Sequence, residues 1–108
     1  MDSAQSPPRT VVMIDLDRER EHWRQRYHAL PRARAMRSFA RYWPVVCAAY
    51  DVYLNHPRAT HAEAMGLYLQ RGDVAASLLS EDEARTVFDR AWSRLEDIAR
   101  VADAVDTP

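Results

Sequence analysis

The sequence MRSFARYWPVVCAAYDVYL, residues Met36 to Leu54, decides the fold of this 108-residue chain. Its apolar residues recur at alternating steps of three and four, which places them along one side of a helix. They are Met36, Phe39, Trp43, Val46, Tyr50 and Tyr53. Because a stripe so rich in aromatic rings is stable only under cover, we predict that the other helices pack over it.

A second stripe of the same kind occupies the C-terminal part of the chain. Ser80 and Glu83 have the spacing of a capping box, which predicts a helix start, and the apolar residues that follow recur at steps of four and three. They are Ala84, Phe88, Ala91, Leu95, Ile98, Ala102 and Val105. Two stripes of equal period suit one another, so the C-terminal helix is predicted to pack antiparallel to the central helix.

Two more helices are predicted to cover these stripes. Either Asp15 or Asp17 can cap the first, and Pro31 stops it because proline cannot continue a helix. A capping box beginning at Thr60 opens the third, and Gly72 is expected to close it. The sequence therefore predicts four helices.

Pro44 lies in the middle of the central stripe, where it removes a backbone hydrogen bond, so the helix is expected to kink or break briefly there. The predicted fold is all-α, a small four-helix domain with a kinked central helix and an antiparallel C-terminal helix. Residues 11–108 are assigned to this single domain and residues 1–10 to a disordered tail. The β-like run from Val11 to Ile14 has no partner strand in the sequence. It is expected either to fold onto the helices as an arm or to pair with the same run of another subunit.

The composition points to a cytoplasmic protein that does not enter a membrane. The single cysteine, Cys47, cannot form an intramolecular disulfide. No apolar run approaches the roughly 18 residues of a membrane span. The first residues lack the basic start and apolar core of a signal peptide.

Charge is distributed unevenly along the chain, although the formal net charge is only -1. All 15 basic residues are arginines, and residues 18–42 carry eight of them against Glu19 and Glu21, a net charge of +6. Residues 73–108 carry nine acids against four arginines, a net charge of -5. Such segments either pack side by side within one chain or pair between two subunits.

These arginines, together with a tryptophan beside the C-terminal stripe, form the candidate interaction surface. Its members are Arg18, Arg20, Arg24, Arg26, Arg32, Arg34, Arg37, Arg41 and Trp92. Arginines interleaved with aromatic residues are also the composition that nucleic-acid binding uses. The plainer interpretation is a set of solvated helix faces above an aromatic core.

The sequence contains no pattern that indicates catalysis or cofactor binding. Its two glycines do not form a phosphate-binding loop. His56 and His61 flank a turn near Glu63, but this spacing is that of ordinary polar turn residues rather than of a metal site. We therefore predict no catalytic residue, no metal and no cofactor, and expect a protein that is not an enzyme.

Short motifs in the same order along residues 20–95 resemble the landmarks of a family of small bacterial helical proteins. They are Trp23-Arg24 with Tyr27 and Pro31, then Tyr42-x-Pro44, then Ser80-x-x-x-Ala84-Arg85, and Ala91-Trp92-x-Arg94. The chain departs from the family pattern at Leu30 and Arg32, and at Val46, Ala48 and Ala49. Members of that family often occur in stress-associated proteins and have no established catalytic residue or cofactor.

The sequence thus predicts a non-enzymatic interaction or regulatory module. The resemblance implies a bacterial, stress-related setting. The expected partner is a second copy of the chain, giving a homodimer, or another protein, and Arg-mediated nucleic-acid binding is the alternative.

Overall fold

The computed structural model describes residues 13 to 106, with side chains through Ala102. Six α-helices and one short 3₁₀ turn, Tyr27–Ala29, make up the regular structure of this part of the chain, which confirms the all-α prediction. The helices are α1 (Leu16–Arg24), α2 (Ala33–Met36), α3 (Phe39–Asn55), α4 (His61–Leu69), α5 (Gly72–Ala75) and α6 (Glu81–Asp106).

The predicted caps lie where the sequence places them. The Asp15 carboxylate accepts the backbone N–H of Arg18 at 3.2 Å and starts α1. At the start of α4 the Thr60 hydroxyl accepts the Glu63 N–H, while the Glu63 carboxylate accepts the Thr60 N–H. Ser80 and its partner three residues later form the same reciprocal pair before α6. Each pair satisfies two N–H groups that a helix start would otherwise leave unpaired.

The central segment is not one helix, and the prediction of four helices is wrong. Arg37 adopts a left-handed backbone with φ of 68° and ends α2. Ser38 then caps α3 through its side chain, which accepts the Arg41 N–H at 3.2 Å. From there α3 runs without interruption through Pro44 to Asn55. The kink at Pro44 and the antiparallel arrangement of α3 and α6 stay predictions.

Gly72 does not close the third predicted helix. Helix α4 ends at Leu69 with Gln70 as its cap, and Gly72 is the first residue of the short helix α5. Its φ is not in the left-handed region that makes glycine useful at helix ends. The first predicted helix is also shorter than expected, because α1 ends at Arg24 and the 3₁₀ turn follows it.

The core lies mainly between α3 and α6, which confirms that the two stripes are partners. Both buried faces are wider than the stripes, since Tyr42, Val45 and Val87 are buried beside them. Trp43, by contrast, is only half-buried at the edge of the core. The largest fully buried side chains are Tyr42, Tyr50, Tyr68, Phe88, Leu95, Val46 and Val87. Helix α3 is therefore covered on more than one side, as its high apolar content requires.

The predicted tail, residues 1 to 10, and the first two residues of the β-like run lie outside the described residues. Met13 is 94% exposed, whereas Ile14 packs against the core. Residues 13 to 106 contain no β-strand. None of the helices in this range combines the length and the apolarity needed to cross a bilayer.

Candidate functional site

The fold divides the predicted arginine surface into two regions with different surroundings. Arg18, Arg20 and Arg24 belong to α1, and Arg26 directly follows it. The remaining four lie on or beside α2 and the start of α3: Arg32, Arg34, Arg37 and Arg41. Trp92 belongs to neither region. Only 7% exposed, it packs against the rings of Tyr53, His61 and Phe88, so its assignment to the surface is wrong.

The arginines of the α1 region are largely engaged within the chain. Arg24 forms a two-pronged ion pair with Glu21, with contacts of 2.9 and 2.6 Å. The hydrogen bonds from Arg24 and then Gln25 lower the pKa of Glu21 to about 2. Arg20 lies over the ring of Phe39, 5.6 Å from its centre, and the Arg26 guanidinium donates to a backbone carbonyl of α1. Three of the four arginines of this region thus contact other groups of the chain, and the fourth, Arg18, is exposed.

Behind α1 lies a polar network that the sequence analysis missed. Glu19 is 3% exposed, and its carboxylate accepts two hydrogen bonds from Arg94 of α6, at 2.8 and 2.9 Å. The Tyr50 hydroxyl of α3 donates to the same carboxylate at 2.6 Å and accepts from the indole N–H of Trp23 at 2.8 Å. One carboxylate thus connects three helices.

The ionisation of this network follows from its surroundings. Burial acts to raise the pKa of Glu19, but the hydrogen bonds from Arg94 and Tyr50 outweigh it and the pKa is lowered. Burial, and the bond to the Glu19 carboxylate, raise the pKa of the Tyr50 hydroxyl. Glu19 is therefore an anion with its hydrogen bonds satisfied, and its role is to join the helices. The available signal was that Glu19 precedes Trp23 by four residues and so shares the buried face of α1.

The second region is built on a short rigid turn. The Tyr42 hydroxyl donates to the Pro31 carbonyl and fixes the entry of the turn, and Ala33 and Met36 anchor α2 in the core. Arg32, like the arginine that ends α2, has a left-handed backbone, with φ of 62°. Left-handed backbone is costly for residues other than glycine, so the packing around this turn must maintain it.

Arg34 of α2, Arg37 at its end and Arg41 in the first turn of α3 lie within eight residues of one another along the chain, and we call them the arginine cluster. All three are exposed. Arg32, beside them, is paired with Glu83 of α6 at 3.0 Å. Among the side chains that the structure describes, residues 13 to 102, no acid pairs with the three members of the cluster. Their charge is available to a partner.

A groove of about 330 Å³ borders the arginine cluster, and we call it the cluster groove. Its lining residues come from α2, α3, α5 and the segment after α5. They are Met36, Arg41, Pro44, Val45, Asp73, Ala76, Ser77 and Leu78. Leu78 is 60% exposed, which is high for a large apolar side chain. The groove also contains one acid, Asp73, which has an exposed contact with Arg71. It therefore combines apolar walls with one arginine and one carboxylate.

The remaining polar groups form no constellation with an evident chemistry. His61 contacts the Asp89 carboxylate at 2.8 Å, and both side chains are about half exposed. Cys47 is half-buried, and burial raises the pKa of its thiol, which disfavours the reactive thiolate. Among the described side chains, which end at residue 102, no three His, Cys, Asp or Glu residues are grouped so that they could hold a metal ion.

Comparisons of the chain with protein-family models, with curated proteins and with solved structures find no match. The resemblance to the bacterial family therefore stays a hypothesis based on the short motifs. The candidate site is defined by its geometry: an arginine cluster without acidic partners beside an apolar groove.

Proposed function

We propose that this protein is a non-enzymatic interaction module that binds an acidic, partly apolar segment of another protein. The arginine cluster would hold the carboxylates of that segment, and the cluster groove would take its apolar side chains. A stress-related regulatory setting is part of the proposal and rests on the family resemblance alone.

The observation that carries the proposal is the contrast between the two arginine regions. The side chains of Arg34, Arg37 and Arg41 have no hydrogen bond or ion pair among the described residues. In the α1 region, by contrast, three of the four arginines contact an acid, a ring or a backbone carbonyl. Guanidinium groups bind carboxylates with two parallel hydrogen bonds, which gives both strength and orientation. An exposed leucine beside such cations matches the usual design of an interface, with an apolar contact surrounded by polar ones.

Nucleic-acid binding is the second candidate, and the arrangement of the aromatic rings argues against it. Of the five aromatic residues in the arginine-rich segment, residues 18–43, three are buried: Trp23, Phe39 and Tyr42. The other two, Tyr27 and Trp43, are half-buried and pack against the core. Single-stranded nucleic acid is bound largely by stacking bases on exposed rings. The cations of the cluster could still contact phosphates, so this candidate is tested beside the first.

The test is a fluorescence anisotropy titration with a labelled peptide of alternating Glu and Leu residues. The triple variant Arg34→Ala, Arg37→Ala, Arg41→Ala should bind it at least about tenfold more weakly than the wild type. The matched control, Arg20→Ala, Arg24→Ala, Arg26→Ala, removes the same charge from the α1 region and should bind nearly as well as the wild type. Equal losses in the two variants would contradict the proposal, because general attraction by charge would then explain binding.

A labelled random single-stranded DNA and a duplex serve as competitors in the same titration. If either binds more tightly than the peptide, with an affinity that falls steeply as salt is raised, the nucleic-acid candidate replaces the first. A peptide of alternating Gln and Leu residues reports how much of the binding depends on carboxylates.

The homodimer also belongs to this proposal, but pairing between the basic and acidic segments of two subunits is not its best support. One contact between those segments, Arg32 with Glu83, closes within a single chain. A surface for a second copy must therefore be sought elsewhere.

A further inference from the structure

The C-terminal half of α6 carries apolar residues beyond the end of the closely packed core. Leu95 is the last fully buried residue of α6 among the side chains described, which extend to residue 102. Ile98, Ala99 and Ala102 are half-buried, and Val101 is 63% exposed. Across from them lies the start of the described chain, where Met13 is almost fully exposed.

A second groove, of about 320 Å³, lies between this half of α6 and the start of the described chain, and we call it the α6 groove. Its apolar lining comes from Met13, Ile14, Ile98 and Val101. Two of the six large hydrophobic side chains exposed among the described residues, Met13 and Val101, are in this one groove. An apolar groove beside a helix half that is only partly covered favours a protein partner.

The charges of the α6 groove restrict what that partner can be. Arg18 and Arg94 contribute positive charge, and Asp15 and Asp97 contribute negative charge. Arg94 is committed to Glu19, and the Asp15 carboxylate caps α1. The other exposed charges of the groove are Arg18 of α1 and Asp97 of α6, which are of opposite sign. Asp97 has only an exposed contact with Arg100, of the kind that contributes little. Such a groove is electrostatically complementary to a copy of itself, because each Arg18 can face the Asp97 of the other copy.

We propose that the α6 groove is the interface of a two-fold homodimer, in which the C-terminal half of α6 from each copy covers the groove of the other. A single contact of this kind covers the apolar residues of both chains and pairs both sets of charges. The inference identifies the surface of the homodimer named in the proposed function. It shares no residue with the arginine cluster or the cluster groove.

Sedimentation velocity over a concentration series up to high micromolar tests the proposal. The wild type should show reversible dimerisation, and Val101→Gln should weaken it at least about tenfold, since the symmetric contact loses two apolar side chains. The matched control is Leu78→Gln, which changes an equally exposed residue in the cluster groove and should leave dimerisation intact. A monomeric wild type would overturn the inference, and so would a dimer that Val101→Gln leaves unchanged.

The two substitutions also separate this inference from the proposed function. Leu78→Gln should weaken binding of the Glu and Leu peptide, while Val101→Gln should not. Far-UV circular dichroism and the denaturant midpoint verify that each variant is folded. Loss of peptide binding with an intact dimer would thus concern the cluster groove alone, and the reverse result would concern only the α6 groove.

A charge exchange provides a test that does not depend on apolar contacts. Arg18→Glu alone sets a carboxylate against Asp97 of the other copy, and Asp97→Arg alone sets two guanidinium groups together, so each variant should dimerise less than the wild type. In a mixture of the two variants, the heterodimer has opposite charges at both contacts. The introduced carboxylate faces the introduced guanidinium at one contact, and Arg18 faces Asp97 at the other, so a heterodimer should form. If the mixture associates no better than the separate variants, Arg18 and Asp97 do not face each other and the proposed interface is wrong.

Discussion

The arginines of α1 and those of the turn that follows come from a single basic run in the sequence, yet their surroundings are opposite. In and behind α1, charged side chains meet partners: Arg24 binds Glu21, and the buried Glu19 binds Arg94 of the distant helix α6. In the first region, ion pairs stabilise α1 and its packing on α6. In the second, the arginine cluster, the guanidinium groups are exposed and have no acidic partner among the described side chains.

A run of like charge in a sequence therefore does not by itself predict a charged binding surface. Burial decides the role of each member, and burial depends on which face of a helix a residue occupies. Glu19 shares its face with Trp23 and is drawn into the core, where an unpaired carboxylate would be prohibitively costly. The members of the arginine cluster are exposed, so the fold does not require an acidic partner for them.

The largest expected effect comes from breaking the buried pair. Glu19→Ala leaves Arg94 and the Tyr50 hydroxyl without their acceptor and should cost about 3 kcal/mol, near the lower limit for buried pairs because Arg94 is partly exposed. Urea denaturation measures the loss. The matched control is Glu21→Ala, which breaks the exposed pair with Arg24 and should change the midpoint very little. If both variants lost the same stability, the distinction between buried and exposed pairs would fail.

The pH dependence of stability tests the contribution of the same buried carboxylate. The pKa of Glu19 is lowered below its usual 4.5 in the folded protein, so ionisation of this carboxylate stabilises the fold. That contribution is fully present above the pKa of the unfolded chain and is lost as pH falls through the lower, folded value. The stability difference between the wild type and Glu19→Gln should therefore be largest near neutral pH and shrink in acid. A difference that stayed constant from pH 7 to pH 3 would mean that the ionisation of Glu19 contributes nothing.

A substitution in the left-handed turn should stabilise the protein, whereas a substitution in the buried pair should destabilise it. Arg37 has a left-handed backbone, which costs residues other than glycine about 1–2 kcal/mol. Arg37→Gly should remove that cost. Glycine also loses more conformational entropy on folding, which offsets part of the gain, so the net stabilisation should be at most about 1 kcal/mol. The substitution should also weaken peptide binding. Arg41→Gly removes the same charge from a helical position and should instead destabilise by about 1 kcal/mol.

The smallest effects on stability are expected for Arg34→Ala and Arg41→Ala. Both side chains are exposed and have no acidic partner within the described residues, so each variant should stay within about 0.5 kcal/mol of the wild type. Chemical denaturation with replicate curves resolves changes of this size. A loss well above that range in either variant would show that its arginine is engaged in the fold.

Much of the helical framework could be predicted because local patterns determine it. Capping boxes at Thr60 and Ser80 and the carboxylate of Asp15 identified three helix starts, since their hydrogen bonds join residues only three apart. The pairing of α3 with α6 followed from two stripes of equal period. The break at Arg37 could not be predicted in this way, because its left-handed backbone belongs to a residue type that rarely adopts it.

The site was only partly predictable for a related reason. The arginines were recognised from composition, but which of them are paired depends on contacts between residues far apart in sequence, such as Arg32 with Glu83. Trp92 was assigned to the surface because it lies beside the predicted stripe, whereas α6 buries a wider face than one stripe. The Glu19 network joins residues from three helices, and no periodicity along a single helix can reveal such a contact.

The central claim, that the arginine cluster and not α1 binds an acidic segment, is tested most directly by NMR of the arginine side chains. The Nε–H resonances of ¹⁵N-labelled protein are followed while the Glu and Leu peptide is added. We expect the resonances of Arg34, Arg37 and Arg41 to shift together and to saturate with one dissociation constant. The resonances of Arg20, Arg24 and Arg94 should not shift. Shifts centred on α1, or spread evenly over all the arginines, would contradict the central claim.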